Sequence, residues 1–266
     1  MTKLRIAGAQ MPVTTNLHTN VESIKNMIDR AAALNAHYLV TPEGAVTGYV
    51  SDWETRDGRT YLQVLESIGD IIDYAAEKNI GMFLGTLCRD ADAAARNSVI
   101  ITDRKGNTLE RVDKTLIIKG EPVKPQEHPK HVFLPELGNV PISVMICNDL
   151  WGSTIYRQPA LPWWALDTGV RLVIHSTNGP RNRPDNLDSV YSDWHNAWLQ
   201  MMSLYMQAPI LSVDNCIGME GEDYEGDTAS PSGVVENGKW LVQSPRQGEH
   251  IFVHEFDIEK LISNNG

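Results

Sequence analysis

Apolar residues fall along the chain in two rhythms. Short apolar runs occupy residues 4–10, 38–40, 80–86, 98–102, 109–112, 131–133, 141–146, 171–174, 210–213, 233–235, 240–242 and 251–256. Their lengths and the turn residues around them read as strands. Pro42 stops the second run, Lys105-Gly106-Asn107 links two others, and Asn237-Gly238 is a hairpin turn. Elsewhere the spacing is helical. Val21, Ile24, Ile28 and Ala31 mark one face, with Thr19-Asn20-Val21-Glu22 in the form of a capping box at its start. Leu62, Leu65, Ile68, Ile72 and Ala76 mark a second helix, and Leu187, Tyr191, Trp194, Trp198, Met201 and Tyr205 a long third one. Strands alternate with helices through the first two-thirds, and a mostly β tail follows. No linker, repeat or composition shift divides the chain. The reading is one α/β domain over residues 1–266, its strands buried on both faces or packed sheet on sheet.

Composition supports a core of that kind, since 42% of the 266 residues are apolar. A chain of this length buries roughly 70–75% of its unfolded surface. Charge narrows the partners. The net charge of −11 repels phosphate backbones, so neither nucleic acid nor an anionic membrane is expected. No run approaches the length of a membrane span, and no signal-peptide core precedes the first strand. Cys88, Cys147 and Cys216 are too few and too far apart for a disulfide framework or a zinc site, so a reducing, cytoplasmic setting is expected. The nucleophile elbow G-x-S-x-G, the phosphate-binding P-loop and the dinucleotide fingerprint are all missing. His128 and His131, the closest histidine pair, match no zinc ligand set. No metal and no cofactor is expected.

Three segments place reactive residues where a strand should end, the position at which α/β proteins form ligand crevices. Thr41-Pro42-Glu43-Gly44 sets a carboxylate after a buried strand. Lys114 follows Arg111-Val112-Asp113, and Cys147 closes Val144-Met145-Ile146. Taken singly, each has an ordinary reading as a cap, a snorkelling lysine or a small core thiol. Together they supply a covalent acyl-transfer site. The thiol attacks a carbonyl or nitrile carbon, and a desolvated carboxylate acts as its base because no histidine stands out for that task. The lysine and the N–H after the cysteine hold the oxyanion.

These segments resemble the nitrilase superfamily, the carbon–nitrogen hydrolases with a Glu-Lys-Cys triad. The resemblance runs nearly the whole length. It includes Ile6-Ala7-Gly8-Ala9-Gln10-Met11-Pro12-Val13, Pro42-Glu43-Gly44 with Thr47-Gly48-Tyr49, and Arg96-Asn97-Ser98. Asp113-Lys114-Thr115, Ile146-Cys147-Asn148-Asp149 and the late Gly226–Gly233 segment complete it. The resemblance implies a four-layer α-β-β-α sandwich of two mostly six-stranded sheets, paired into homodimers or larger homo-oligomers. It implies Glu43, Lys114 and Cys147 as catalytic residues, with Lys114 and the Asn148 N–H on the oxyanion. Many relatives carry a second glutamate that orients the lysine. Glu121 and Glu127 compete for that role, and Glu121 is favoured by its spacing from Lys114. Tyr49, Trp151 and Asn178 are the expected substrate contacts.

The residues after the cysteine differ from the C-W-E of true nitrilases, which favours an amide or ureide over a nitrile. Cys-Asn-Asp is similar to N-carbamoyl-D-amino-acid hydrolases, but Leu150 and Trp151 stand where those have arginines. Asp149-Leu150-Trp151 instead resembles the glutaminase domain of glutamine-dependent NAD synthetases. Trp151, Trp163, Trp164, Tyr191 and Trp194 are expected around an apolar cleft, with core packing as the competing reading for Tyr191 and Trp194. The acidic run 220–227 lacks calcium-loop spacing, and Cys88 and Cys216 read as inert buried thiols. The expected function is a cofactor-free amidohydrolase acting on a small carboxamide. The alternatives are a ureide hydrolase releasing carbon dioxide and ammonia, and a catalytically silent binding subunit.

Overall fold

The computed structural model describes residues 3–49, 52–117, 121, 123–152, 160–179, 187–216 and 230–263. Among them are twelve strands in two six-stranded sheets. The first sheet holds β1 (Lys3–Gln10), β2 (Tyr38–Val40), β3 (Gly81–Arg89), β4 (Ala95–Thr102), β5 (Thr108–Asp113) and β12 (His250–Asp257), ordered β12-β1-β2-β3-β4-β5. The second holds β6 (His131–Val132), β7 (Ile142–Ile146), β8 (Val173–Ser176), β9 (Ile210–Val213), β10 (Gly233–Glu236) and β11 (Lys239–Gln243), ordered β11-β10-β9-β8-β7-β6. Each sheet has three parallel central strands, β1-β2-β3 and β7-β8-β9, flanked by antiparallel ones.

Alternation along β1 shows why the sheets stack. Leu4 and Ile6 join Val144, Ile146, Leu211 and Val213 of the second sheet in one core cluster. Ala7 and Ala9 point the other way, into a cluster with α1 (Leu17–Ala33) and α2 (Tyr61–Glu77). The second sheet is covered by α4 (Ala160–Asp167) and α5 (Leu187–Tyr205), which bring Leu161, Ala165, Leu199 and Met202 into its cluster. Strands buried on both faces between two helical layers make the α-β-β-α sandwich. The β10–β11 turn has Asn237 and Gly238 both at positive φ, 50° and 72°, as a type I′ hairpin requires. Among the described residues no helix is long and apolar enough to cross a membrane.

Each expected strand is present, and the departures concern helices. The α1 cap is Asn16, whose side chain accepts from the Thr19 N–H at 2.9 Å, so Thr19-Asn20-Val21-Glu22 lies inside the helix. Asn20 is occupied elsewhere, bonding both the Thr14 backbone and the Val46 carbonyl. The capping box belongs to α2, between Thr60 and Gln63. That start sets the phase of α2, whose inward face is Val64, Ile68, Ile71 and Ala75, leaving Leu62 63% and Leu65 45% exposed. In α5 the inward residues are His195, Leu199 and Met202, while Trp194 and Met201 of the expected stripe are exposed. The side chains of Leu187 and Tyr191 lie outside the described residues, as does the acidic run 220–227.

Candidate active site

The two sheets bring the carboxyl ends of their parallel strands together. Past the end of β2, the Thr41 carbonyl accepts from the Ser176 hydroxyl of β8 at 2.8 Å, and Asn178 just beyond β8 bonds Glu43 twice. Gly85 of β3 lets this segment close down, because a Cβ there would stand 2.0 Å from the Pro42 carbonyl oxygen. Lys114 follows β5, its N–H bonded to the Asn97 carbonyl at 2.7 Å. Cys147 follows β7 with φ 48° and ψ −104°, a strained strand-to-helix turn that opens the short helix α3 (Asn148–Trp151). Its N–H bonds the Ser176 carbonyl at 2.9 Å, and its own carbonyl meets His175 Nε2 at 3.2 Å. Neutral His175 donates there and accepts from Ser212 through Nδ1, 2.8 Å away; burial holds its pKa down at about 3.

The side chains converge in a buried polar cluster. Glu43 Oε1 accepts from Lys114 Nζ at 2.9 Å and from Asn97 Nδ2 at 2.7 Å, while Oε2 accepts from the Asn178 N–H at 3.1 Å. Lys114 Nζ also donates to Glu121 Oε1 at 2.7 Å, so one ammonium is shared by two carboxylates. The Tyr49 ring lies 5.5 Å from that ammonium. Three buried polar atoms here have no hydrogen-bond partner among the described residues: the Tyr49 hydroxyl oxygen, Glu121 Oε2 and Asn97 Oδ1.

Burial raises the Glu43 pKa, with the nearby Lys114 charge pulling it back. Burial pulls the Lys114 ammonium down, but the charges of Glu43, Cys147, Tyr49 and Glu121 outweigh this and set its pKa well above the ordinary lysine value. The Cys147 thiol is pushed up to about 12 by burial and by Glu43, against Lys114 and a hydrogen bond with Thr177. At neutral pH the sulfur therefore holds its proton and the lysine its charge.

The structure brings Glu43, Lys114, Glu121, Tyr49 and Asn178 together, and places Cys147 where its sulfur feels Glu43 and Lys114. Glu127 is exposed. Asn148 begins α3, so its N–H has no partner inside that helix. Trp151 closes α3 and is 5% exposed. It packs against His175, His195 and Trp194, while Trp163 lies on Tyr205 and Trp164 on His131. Of the aromatic residues expected around one cleft, Trp151 and Trp194 meet with ring centroids 5.7 Å apart, and the Tyr191 side chain lies outside the described residues. Asn97, His175, Thr177 and Asn215 were given no role by the sequence reading. Asn215 donates to Asn178 Oδ1 at 2.9 Å and so braces the residue that braces Glu43. Each is a polar residue in or just past a strand, and no local pattern in the sequence assigns it a partner.

Known proteins agree with this architecture. The sequence matches the family described as carbon-nitrogen hydrolase over residues 5–263. An amidase from Nesterenkonia sp. has a similar structure, with a TM-score of 0.77 and 19% identity over 100% of this chain and 95% of that one. A mutant of the amidase from Nesterenkonia sp. AN1, carrying the acetamide moiety of fluoroacetamide on its active-site cysteine, gives a TM-score of 0.76 at 17% identity over 98% and 93%. Glutamine-dependent NAD+ synthetase from Acinetobacter baumannii gives 0.77 at 18% identity; the match covers 97% of this chain and 46% of the synthetase. No curated protein matches the sequence significantly. The fold is that of the nitrilase superfamily. The chain belongs to the carbon-nitrogen hydrolase family and is a hydrolase acting on carbon–nitrogen bonds.

Proposed function

We propose that the protein is an amidase that cleaves a small carboxamide through a cysteine thioester, without a cofactor. The observation that carries this reading is the buried cluster in which Lys114 Nζ bonds both Glu43 and Glu121 within electrostatic reach of Cys147, whose thiol burial and Glu43 push up to about 12. A thiol that keeps its proton at rest needs a base at the moment of attack, and Glu43 is the group in place. Sulfur bonds to the carbonyl carbon as its proton passes to Glu43. Lys114 Nζ and the Asn148 N–H take the negative oxygen. The tetrahedral adduct collapses, the carbon–nitrogen bond breaks, and Glu43 returns the proton to the departing ammonia or amine. Water then gives a proton to Glu43 and attacks the thioester, and the carboxylic acid leaves as the thiol is regenerated. Glu121 and the Tyr49 hydroxyl, which face each other and have no tighter partner for the Glu121 Oε2 and Tyr49 oxygen atoms among the described residues, are the polar anchors for the substrate amide.

The ureide reading rests on Cys147-Asn148-Asp149, but the Asp149 carboxylate is spent on backbone N–H groups and offers nothing to a substrate. The buried charge pair favours a working enzyme over a silent binding subunit. Catalysis requires Cys147 as a reduced thiol, which suits the cytoplasm. The exposed Trp163, Trp194, Met201 and Leu204 on α4 and α5 form the face through which we propose two copies pair.

Intact-mass measurement of Glu43→Gln incubated with mixed amides tests the reading. An acyl adduct on Cys147 is expected, and its mass identifies the acyl group. Undiminished amide turnover by Cys147→Ala would refute the mechanism.

A further inference from the structure

We propose that Asp149 is a positioning residue that clamps the lysine segment to the cysteine segment and must be ionised to do so; this rests on the amidase reading above. Its Oδ1 accepts from the Thr115 N–H at 3.0 Å and the Leu116 N–H at 2.7 Å, and its Oδ2 from the Ile146 N–H at 3.0 Å. Thr115 and Leu116 directly follow Lys114, and Ile146 directly precedes Cys147. The two segments belong to different sheets, so one carboxylate spans the joint between the base–lysine half of the site and the nucleophile half. Thr115 and Leu116 lie beyond β5, where no strand ladder supplies acceptors. Asp149 is 1% exposed, and among the described residues no side-chain cation bonds it; the charge acting on it is Lys114. Two oxygens and three N–H donors suit a carboxylate and nothing else.

Burial pushes the Asp149 carboxyl up to about 6, with the three N–H groups and Lys114 pulling the other way. Above that pH both oxygens accept. Below it, a proton on one oxygen faces N–H groups that already point at it, and one arm of the clamp opens. Displacements of an ångström in a reacting pair cost on the order of a hundredfold in rate, so clamp opening is visible as slower chemistry at Cys147.

The test uses iodoacetamide alkylation of Cys147, followed by intact mass between pH 4.5 and 9, which needs no knowledge of the substrate. In the Glu43→Gln background, where the base no longer titrates, log rate against pH is expected to break near 6 and fall more steeply below it. Adding Asp149→Asn removes the break and slows the reaction above it by about tenfold or more. A folded double variant with the same rate, or with the break retained, overturns the proposal. Should the variant not fold, hydrogen exchange of segments 112–117 and 142–150 in the natural chain decides, after correction for intrinsic rates. Protection is expected to drop between pH 7 and 5, and unchanged protection overturns the clamp. Failure of the amidase reading is a separate result, namely no amide turnover while the clamp behaves as described.

Discussion

Glu43 and Lys114 form an ion pair at 2.9 Å in which both side chains are 1% exposed. Such a pair is costly to assemble and worse to break, since removing one partner leaves a buried charge uncompensated, typically at about 3–5 kcal/mol. Lys114→Ala therefore leaves two carboxylates, Glu43 and Glu121, facing one another across a void. It is expected to lower stability in urea melts by that amount as well as abolish turnover. A Lys114→Ala chain as stable as the natural one would mean that the pair is not formed.

The pH profile follows from the directions of the shifts. Glu43 must be ionised to act as base, and its folded pKa lies above the ordinary glutamate value because of burial. On acidification kcat/KM is expected to fall at a pH above the one at which an exposed glutamate would titrate. On the alkaline side Lys114 stands well above 10.5 and the thiol is at about 12, so no descending limb is expected below about pH 10. A bell with an alkaline limb near 8 would contradict the cationic lysine.

Gly85 offers a steric handle on the base. Its added Cβ would lie 2.0 Å from the Pro42 carbonyl oxygen and 3.3 Å from the Glu43 Cα. That contact is with backbone and cannot be relieved by a rotamer change. Gly85→Ala is expected to cost about 1–3 kcal/mol of stability and to lower kcat sharply by moving Glu43 off Lys114. Activity near that of the natural chain in Gly85→Ala would show that the loop shifts freely, against the close packing seen.

The helix surface carries a separate prediction. Met201 and Leu204 are exposed on α5 beside Trp194, on the face assigned to self-association. Met201→Glu with Leu204→Glu adds charge without touching the inward residues Leu199 and Met202. Sedimentation is expected to report a shift from dimer or larger species to monomer, with the circular dichroism unchanged. Natural and variant chains sedimenting alike would remove the face from consideration.

Glu43, Lys114 and Cys147 were legible because each follows an apolar run, and parallel strands gather their carboxyl ends at one place. Glu121 was legible only by its spacing from Lys114 in relatives; the exposure of Glu127 is a matter of loop course, which no local pattern encodes. Helix phase was not legible. On α5, residues 194, 198 and 201 and residues 195, 199 and 202 satisfy the same helical period, and the sheet beneath decides between them. The same ambiguity moved the inward stripe of α2 to Val64, Ile68, Ile71 and Ala75. Bracing residues such as Asn215 were invisible because their partners lie far away in sequence.

Asp149 links catalysis to stability, and the sign of that link is measurable. A carboxyl whose pKa rises to about 6 on folding, from an ordinary 3.8, binds its proton more readily in the folded chain. Its charged form is thus a burden on the fold at neutral pH, relieved as pH falls through 6 toward 4. The corresponding free energy is about 3 kcal/mol. An asparagine side chain cannot titrate, so the Asp149→Asn chain lacks this dependence. The stability of the natural chain relative to Asp149→Asn is therefore expected to rise by about that amount between pH 7 and pH 4 in paired denaturant melts. Activity moves the opposite way over the same interval, because the protonated clamp holds Lys114 and Cys147 less well. A difference in stability that stays level with pH would mean that the Asp149 carboxyl titrates alike in the folded and unfolded chain, and that its burial imposes no cost on the ionised clamp.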